Sequence, residues 1–343
     1  MQKKKILYMG GSLNQTTMLH QVSKHLSEYE HFFTAYYSDG IEKVFAKLGL
    51  LDFSVLGGKF REQTESFFNK NNLAIDYEGK QNDYDLVIIC SDLIIPKNIV
   101  NKKIVMVQEG MTDPENVFYH LVKKLKIPRY FGGTAATGLS NVFTYFCVAS
   151  EGYKELFINK GVKPEKLIVT GIPNFDNCNQ YLDNDFPYKN YCLVCTSDAR
   201  ETLKFENRKK FILDAVNFSE GKQMIFKLHP NESLPRAARE INKYAPGSII
   251  LNSGNTNHMI ANCDILVTSY SSVVYVGLAL GKKVYSSFKL EYLKKLLPVQ
   301  NGGQSAKNIA DISRLMLEEK SDFIKEGKYS ETEAGMNYNL QNA

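Results

Sequence analysis

The N-terminal segment MQKKKILYMGG lacks an apolar run of export or membrane length. After the lysines only Ile-Leu-Tyr-Met is apolar, against about 7–15 residues for a signal-peptide core and about 20 for a span. The segment reads as the first strand of a fold, and a cytoplasmic protein is expected. Cysteine is also sparse. Six are present, at 90, 147, 178, 192, 195 and 263, mostly inside apolar runs such as LVIICS and FTYFCVAS, where Cys acts as a small hydrophobe. Cys192 and Cys195 form a C-x-x-C, but no second Cys/His pair stands at zinc spacing and CLVC reads as a strand, so no metal site is expected. The unpaired, apolar pattern suits a reducing compartment. There is no dense basic stripe with interleaved aromatics, which argues against nucleic acid as a partner. Nor is there a repeat of solenoid period or a low-complexity segment.

What is present fits a globular α/β chain. A length of 343 residues favours two domains. With 43% hydrophobic and 23% charged residues, the core is large enough to need no disulfide or metal. The net charge is +5 with acidic residues interspersed throughout. That mild bias suits phosphorylated substrates, or peripheral contact with an anionic membrane at its inner face.

Short apolar runs alternate with helical stretches along the first half. KKILYMG, HFFTAYY, DLVIICS, KIVMVQEG, FTYFCVAS and KLIVTGIPNFD read as strands. TTMLHQVSKHLSEY and SEGYKELFINKG, the latter ending at Gly161, read as helices. The unbroken Val/Ile/Leu runs suit strands buried on both faces of a parallel sheet. The polar, aperiodic stretch at 176–190, which contains Pro187, marks a domain boundary. A second alternation follows, with YCLVCTS, QMIFKLHP, GSIILNS, CDILVTS and KKVYSS as strands. RETLKFENRKKFILDAVNF carries an apolar stripe of Phe205, Phe211, Ile212 and Val216, as expected of a helix. TNHMIANC and SSVVYVGLALG are shorter helices, and a charged helical tail begins near Ser305. The order predicts two Rossmann-like doubly wound α/β domains facing a central cleft, over residues 1–180 and 181–343, the second including the tail.

Three motifs lie where strands end, the usual ligand edge of open α/β sheets. In Lys227-Leu228-His229-Pro230, Lys227 and His229 share a face and Pro230 stops the strand. His229 can donate to a leaving phosphate and Lys227 add charge; the alternative is a surface His before a turn. In Thr268-Ser269-Tyr270-Ser271-Ser272, the Ser pair opens a helix, whose N–H groups and dipole suit a phosphate; the alternative is a plain Ser cap. In Gln108-Glu109-Gly110, a carboxylate faces the cleft as a candidate base for an acceptor hydroxyl. Here the alternative is a solvated loop, with Asp113 capping a helix that starts at Pro114 and takes in Glu115. Gly10-Gly11-Ser12 after the first strand is not a dinucleotide fingerprint, but it allows close backbone approach of an acceptor or of the other domain. Gly171 and Asn174 close the first domain and border the cleft. His20, His25, His31 and His120 read as structural or surface residues, and His258 as a loop residue near a nucleotide base.

KLHP followed by TSYSS, with VTGIPNFD before both, resembles glycosyltransferase-B enzymes of the cell-surface polysaccharide group. That group includes bacterial sialyltransferases, capsule Kdo transferases and CDP-glycerol glycerophosphotransferases. The resemblance spans roughly residues 100–290. It implies a metal-independent transferase without a cofactor, whose substrates are a CMP-, CDP- or UDP-linked sugar and a glycan or lipid-linked acceptor. It also implies that His229 and Ser271/Ser272 hold the donor phosphate and that an acid of the first motif is the base. The sialyltransferases carry two acids before Gly, the first being the base; here that place is Gln108, so either Glu109 takes the role or the chemistry differs. The chain also resembles UDP-N-acetylglucosamine 2-epimerases. VQEG and PEN are similar to their His-x-Glu-Ala-Gly and Pro-Glu-Glu-x-Asn motifs, falling on Glu109 and Glu115, while KLHPNE stands where they have His-Arg-Arg-Glu-Asn. A third reading is a non-catalytic nucleotide-sugar binder that keeps the phosphate motifs without a working base.

Overall fold

The computed structural model describes residues 3–51, 54–197, 199–201, 206–320, 322 and 324. The first part of the chain runs β1 (Lys5–Gly10), α1 (Leu13–Ser23), β2 (Glu30–Ala35), α2 (Gly40–Lys47), α3 (Gly58–Lys70), β3 (Leu86–Ile89), β4 (Ile104–Val107), α4 (Val117–Leu125), β5 (Tyr145–Val148), α5 (Glu151–Lys160) and β6 (Leu167–Val169). All six strands are parallel, in the order β2-β1-β3-β4-β5-β6. Side chains alternate across the strands. Ile6, Tyr8, Ile88 and Val105 join one apolar cluster, while Leu7, Met9, Val87 and Met106 join another on the opposite face. Both faces are therefore dry, which is why the strands read as unbroken apolar runs.

The second part runs β7 (Tyr191–Cys195), α6 (Arg208–Phe218), β8 (Met224–Lys227), α7 (Leu234–Tyr244), β9 (Ile249–Leu251), α8 (Thr256–Asn262), β10 (Cys263–Thr268), α9 (Val273–Ala279), β11 (Lys283–Tyr285) and α10 (Leu290–Leu296). Its five strands are parallel, in the order β11-β10-β7-β8-β9. Cys192 and Val194 pack on one side with α6 and α7, and Leu193 and Cys195 on the other with α8 and α9. Cys192 and Cys195 are thus buried strand residues. Burial pushes both thiols up to about 12, which leaves them protonated and unreactive near neutral pH.

The chain then returns to the first sheet. Ala149 accepts from the Val299 N–H at 2.9 Å, and the buried Asp176 accepts from the Ser305 N–H at 2.9 Å. Burial raises the Asp176 pKa. Helix α11 (Ser305–Leu317) sets Ala306, Ile309, Ala310 and Met316 into the cluster that holds Met18, Leu19 and Val22 of α1. The helical tail is by its contacts part of the first layer. The two sheets are further joined by an apolar cluster in which Val274, Tyr275, Leu293 and Leu296 meet first-sheet residues, and by a 2.7 Å hydrogen bond between the Tyr153 and Tyr275 hydroxyls.

Several sequence expectations shift in position. α6 starts at Arg208 with Asn207 as its cap, and Phe205 lies outside the described residues. α4 starts at Val117, not Pro114: the Asn116 side chain accepts from the Tyr119 N–H at 2.9 Å, and a side-chain cap of this kind fixes the first turn. Asp113 is engaged elsewhere, with the Thr134 hydroxyl at 2.8 Å. His258 lies within α8, in keeping with the helical reading of TNHMIANC and not with a loop position.

Candidate functional site

In each sheet the strand order reverses once. The reversals fall between β1 and β3 in the first sheet and between β7 and β10 in the second. Such switch points open a crevice beyond the carboxyl ends of the strands. Gly10-Gly11-Ser12 leaves β1 at the first crevice, and Thr268 to Ser272 leaves β10 at the second.

The first crevice is shaped by a network around Glu109. The Ser12 hydroxyl donates to Glu109 Oε1 at 3.0 Å, and Gln15 Nε2 donates to Oε2 at 2.6 Å. Ser12 is also the N-cap of α1, accepting from the Gln15 N–H at 3.2 Å, while Gln15 Oε1 accepts from the Gly11 N–H at 2.8 Å. One helix start thus positions both donors. Gln15 was missed in the sequence, although Ser12-x-x-Gln15 has the form of a capping box and could have pointed to it. The two glycines are needed for packing. A Cβ on Gly10 would lie 2.6 Å from Thr16 Oγ1, and one on Gly11 2.8 Å from Val55 Cβ. The close approach expected at Gly10 and Gly11 is therefore made by the chain's own side chains, and both glycines are buried.

Gln108 is 2% exposed. Its amide donates to the Gly110 carbonyl at 2.8 Å and accepts from the Ala149 N–H at 2.9 Å. It ties the end of β4 to the end of β5 and gives the following loop its shape. Glu109 is the residue of the pair that faces the crevice network. Glu115 is exposed and precedes the α4 cap, so it is not in the first turn of a helix.

The loop after β4 meets the loop after β10. A Cβ on Gly110 would lie 3.8 Å from Ser272 Cβ. Next to this contact an open cleft of about 100 Å³ is lined by Met111, Thr112, Asp113, Tyr270, Ser271 and Ser272, among others. The acidic-Gly and Ser-Ser motifs therefore face each other between the sheets. Ser272 is half-buried and makes no side-chain cap hydrogen bond, and its backbone is already helical. The capping role falls on Ser271 instead, whose hydroxyl accepts from the Val273 N–H at 3.5 Å. Asn174, half-buried, precedes Phe175, which also lies against Gly110, at 3.5 Å from the same notional Cβ.

The third motif lies one strand beyond β7. Lys227, Cys195 and Thr268 occupy one row of the second sheet, so the exits of β8 and β10 stand about 10 Å apart at the usual strand spacing. Lys227 is buried, and its ammonium donates to the Leu228 carbonyl at 2.8 Å. Burial lowers its pKa. The charge is held by a backbone carbonyl at the strand exit. His229 is half-buried. Its N–H donates to Thr196 Oγ1 at 3.1 Å, and its Nδ1 accepts from the Asn231 N–H at 3.3 Å.

Beneath His229 lies a further group of residues absent from the sequence reading. The Glu232 side chain is fully buried and receives Arg208 at 2.7 Å and the Thr196 hydroxyl, with Arg200 at 3.8 Å. A buried carboxylate needs such partners, and here they lock the turn that presents His229. The acid three residues after His229 was the available signal. Among the described residues no group of three His, Cys, Asp or Glu side chains is placed to hold a metal ion, and no helix is long and apolar enough to cross a membrane.

Two facing parallel sheets, each covered by helices on both faces and joined by a returning C-terminal helix, define a glycosyltransferase-B-type fold. Solved structures of this class match 92–95% of the chain. They include S. aureus MnaA with UDP (TM-score 0.58, 11% identity, 92% of this chain and 97% of that one). The UDP-GlcNAc 2-epimerase from Neisseria meningitidis bound to UDP-GlcNAc matches with a TM-score of 0.51 at 12% identity over 95% and 94%. A variant of the wall teichoic acid polymerase TagF with CDPG matches with a TM-score of 0.50 at 12% identity over 92% and 89%. No protein-family model and no curated protein sequence matches the chain.

Proposed function

We propose that this chain is a glycosyltransferase that uses a CMP-, CDP- or UDP-activated sugar in cell-surface polysaccharide, capsule or glycolipid synthesis. It would act in the cytoplasm or at the inner face of the membrane. The observation that carries the reading is the Glu109 carboxylate, fixed by Ser12 and Gln15 in a loop that faces Ser272. A carboxylate with two of its acceptor sites held by donors keeps a fixed direction and still has lone pairs for a substrate hydroxyl.

In this mechanism residues 1–180, with the returning α11, hold the acceptor, and the part from 181 holds the donor. Glu109 accepts the proton of the acceptor hydroxyl as that oxygen attacks the sugar carbon. The bond to the nucleotide phosphate breaks, and His229 together with the N–H groups after Ser271-Ser272 receives the charge that develops there. Ser12 and Asn174 border the acceptor. No residue of this scheme requires a metal, so activity is expected to survive EDTA; complete loss restored by magnesium contradicts that.

A second reading, a UDP-N-acetylglucosamine 2-epimerase, is favoured by the likeness to structures described as such enzymes, one of them bound to UDP-GlcNAc. There Glu109 and Glu115 would both handle protons on the donor sugar. The test is release of free nucleotide from a donor panel, with and without acceptor, in wild type, Glu109→Gln and Glu115→Gln. The transferase reading expects release to need an acceptor, Glu109→Gln to lower it about 10²–10⁴-fold, and Glu115→Gln to change it little. Acceptor-free formation of a 2-epimer that depends equally on both acids replaces the transferase by the epimerase. Nucleotide binding without turnover of any donor leaves only the non-catalytic reading.

A further inference from the structure

Away from the cleft, the first sheet carries a second cavity, of about 370 Å³, beyond the end of β2. Its wall includes Ser38, Lys43, Lys47, Gly57, Gly58 and Arg61. Ser38 is 3% exposed, and its hydroxyl has no hydrogen-bond partner among the described residues. Buried hydroxyls are nearly always paired, so an unpaired one that lines a cavity points to a missing partner there. α3, 13 residues long, begins at Gly58 with Gly57 as its cap and no side chain capping its N-terminus. Its first N–H groups and its dipole favour an anion at this wall. Three cationic side chains and one carboxylate, Glu78, line the space. Glu78 pairs with Lys43 at 2.6 Å and with Lys80, and Arg61 pairs with Glu65 at 2.8 Å. Lys47 is exposed and has no ion pair among the described residues.

We infer that this cavity binds a phosphate or diphosphate group. Hydroxyl, helix N–H groups and two or three cations are the donor set that a tetrahedral, multiply charged anion uses, and more than one carboxylate can satisfy. The strand order β2-β1-β3-β4 places the cavity and Glu109 on the same carboxyl edge, three strands apart, or about 14 Å at the usual spacing. The inference rests on the transferase reading in one respect: the phosphate then belongs to the acceptor, whose reacting hydroxyl lies at Glu109. The anion site itself does not depend on that reading. The phosphate is carried either by a soluble phosphorylated glycan or by a lipid headgroup; α2 next to the cavity exposes Ile41, Val44 and Phe45.

The test is calorimetric titration of the full chain with inorganic pyrophosphate. It is run in wild type and in a His229→Ala/Ser272→Asp background, which removes one phosphate contact of the donor cleft and sets a like charge beside the backbone N–H groups that make the other. Pyrophosphate binding is expected to persist in that background. Adding Lys47→Gln/Arg61→Gln is expected to weaken it about tenfold or more. Ser38→Ala weakens it too, while Lys70→Gln, at the far end of α3, leaves it unchanged. Circular dichroism checks that each variant is folded. Absence of pyrophosphate binding, or binding lost in the donor-cleft background and intact in Lys47→Gln/Arg61→Gln, overturns the inference. Retention on phosphatidylglycerol vesicles but not phosphatidylcholine vesicles, competed by pyrophosphate, assigns a lipid headgroup; pyrophosphate binding without vesicle retention assigns a soluble ligand. If acceptor-dependent nucleotide release is absent while this site still binds pyrophosphate, the transferase reading fails and the anion site stands.

Discussion

Glu109 takes both of its hydrogen bonds from the first turn of α1, so its direction and its chemistry can be separated by substitution. Glu109→Gln removes the base. Ser12→Ala leaves the carboxylate but frees its direction, and is expected to lower turnover about tenfold, since one misplaced group costs less than a missing one. Steady-state kinetics on folded variants checks the ranking; equal losses would make Ser12 more than a positioning residue. Lys160 offers a test of burial. It is 2% exposed and donates to the Ala135 carbonyl at 2.9 Å. Burial holds its pKa down at about 8, against opposing pulls from Glu115, Asp113 and Asp92. Between pH 8 and the ordinary lysine value, the unfolded chain binds a proton that the folded chain has released. Stability therefore rises with pH in that window. The stability of wild type minus that of Lys160→Met is expected to increase by roughly 1–2 kcal/mol from pH 8 to 9.5, measured by urea unfolding. A flat difference would mean that the amine is not desolvated. Residue identity at strand ends was readable from the sequence, but side-chain direction was not. Lys227 and Gln108 both look like cleft residues by position, and both turn to backbone partners, a choice made by neighbours distant in sequence.

At the scale of elements, the alternation of apolar and helical segments predicts the strands well, because strands covered on both faces leave a run that no other element imitates at that length. Helix starts were less legible. Pro114 suggests a first turn, yet the Asn116 cap two residues on sets the start of α4. Asn116→Ala is expected to cost about 1 kcal/mol of stability, while replacement of Asp113 leaves the α4 start in place. Helices α2, α3, α7 and α10 went unread. α2 and its C-cap carry Ile41, Val44, Phe45 and Leu48 at helical spacing, a signal the sequence offered, although the helix has no buried residue. The junction between α5 and α10 is tight: a Cβ on Gly152 would overlap the Lys295 carbonyl. Gly152→Ala is expected to destabilise the chain by about 1–3 kcal/mol and to loosen the contact between the sheets, visible as faster hydrogen exchange at the Tyr153–Tyr275 pair. Unchanged stability would mean that the two helices slide apart without cost.

On the scale of the whole molecule, the returning segment makes the first layer depend on the end of the chain. α11 buries Ala306, Ile309, Ala310, Ile312, Met316 and Leu317. At about 1.5–3 kcal/mol for each large apolar side chain, that is comparable with the 5–15 kcal/mol of a typical domain. A chain ending before Ser305 is therefore expected to aggregate or to lose cooperative unfolding. The charged sequence of this tail gave no sign of which sheet it covers, since its partners are some 290 residues away. The likeness of the motifs was legible because each sits where a parallel strand ends, and topology alone brings those ends to one side. The central claim is that this side binds a nucleotide between the sheets. The most direct test is a structure of the chain soaked with CMP, CDP, UDP and GDP in turn, after a thermal-shift screen in which a ligand at 100 times its dissociation constant adds about 2.7 kcal/mol. The account predicts one nucleotide whose phosphate contacts His229 and the backbone at Ser271-Ser272, with its far end directed toward Glu109. A phosphate held elsewhere in the second sheet, or no stabilisation by any of the four, would contradict it.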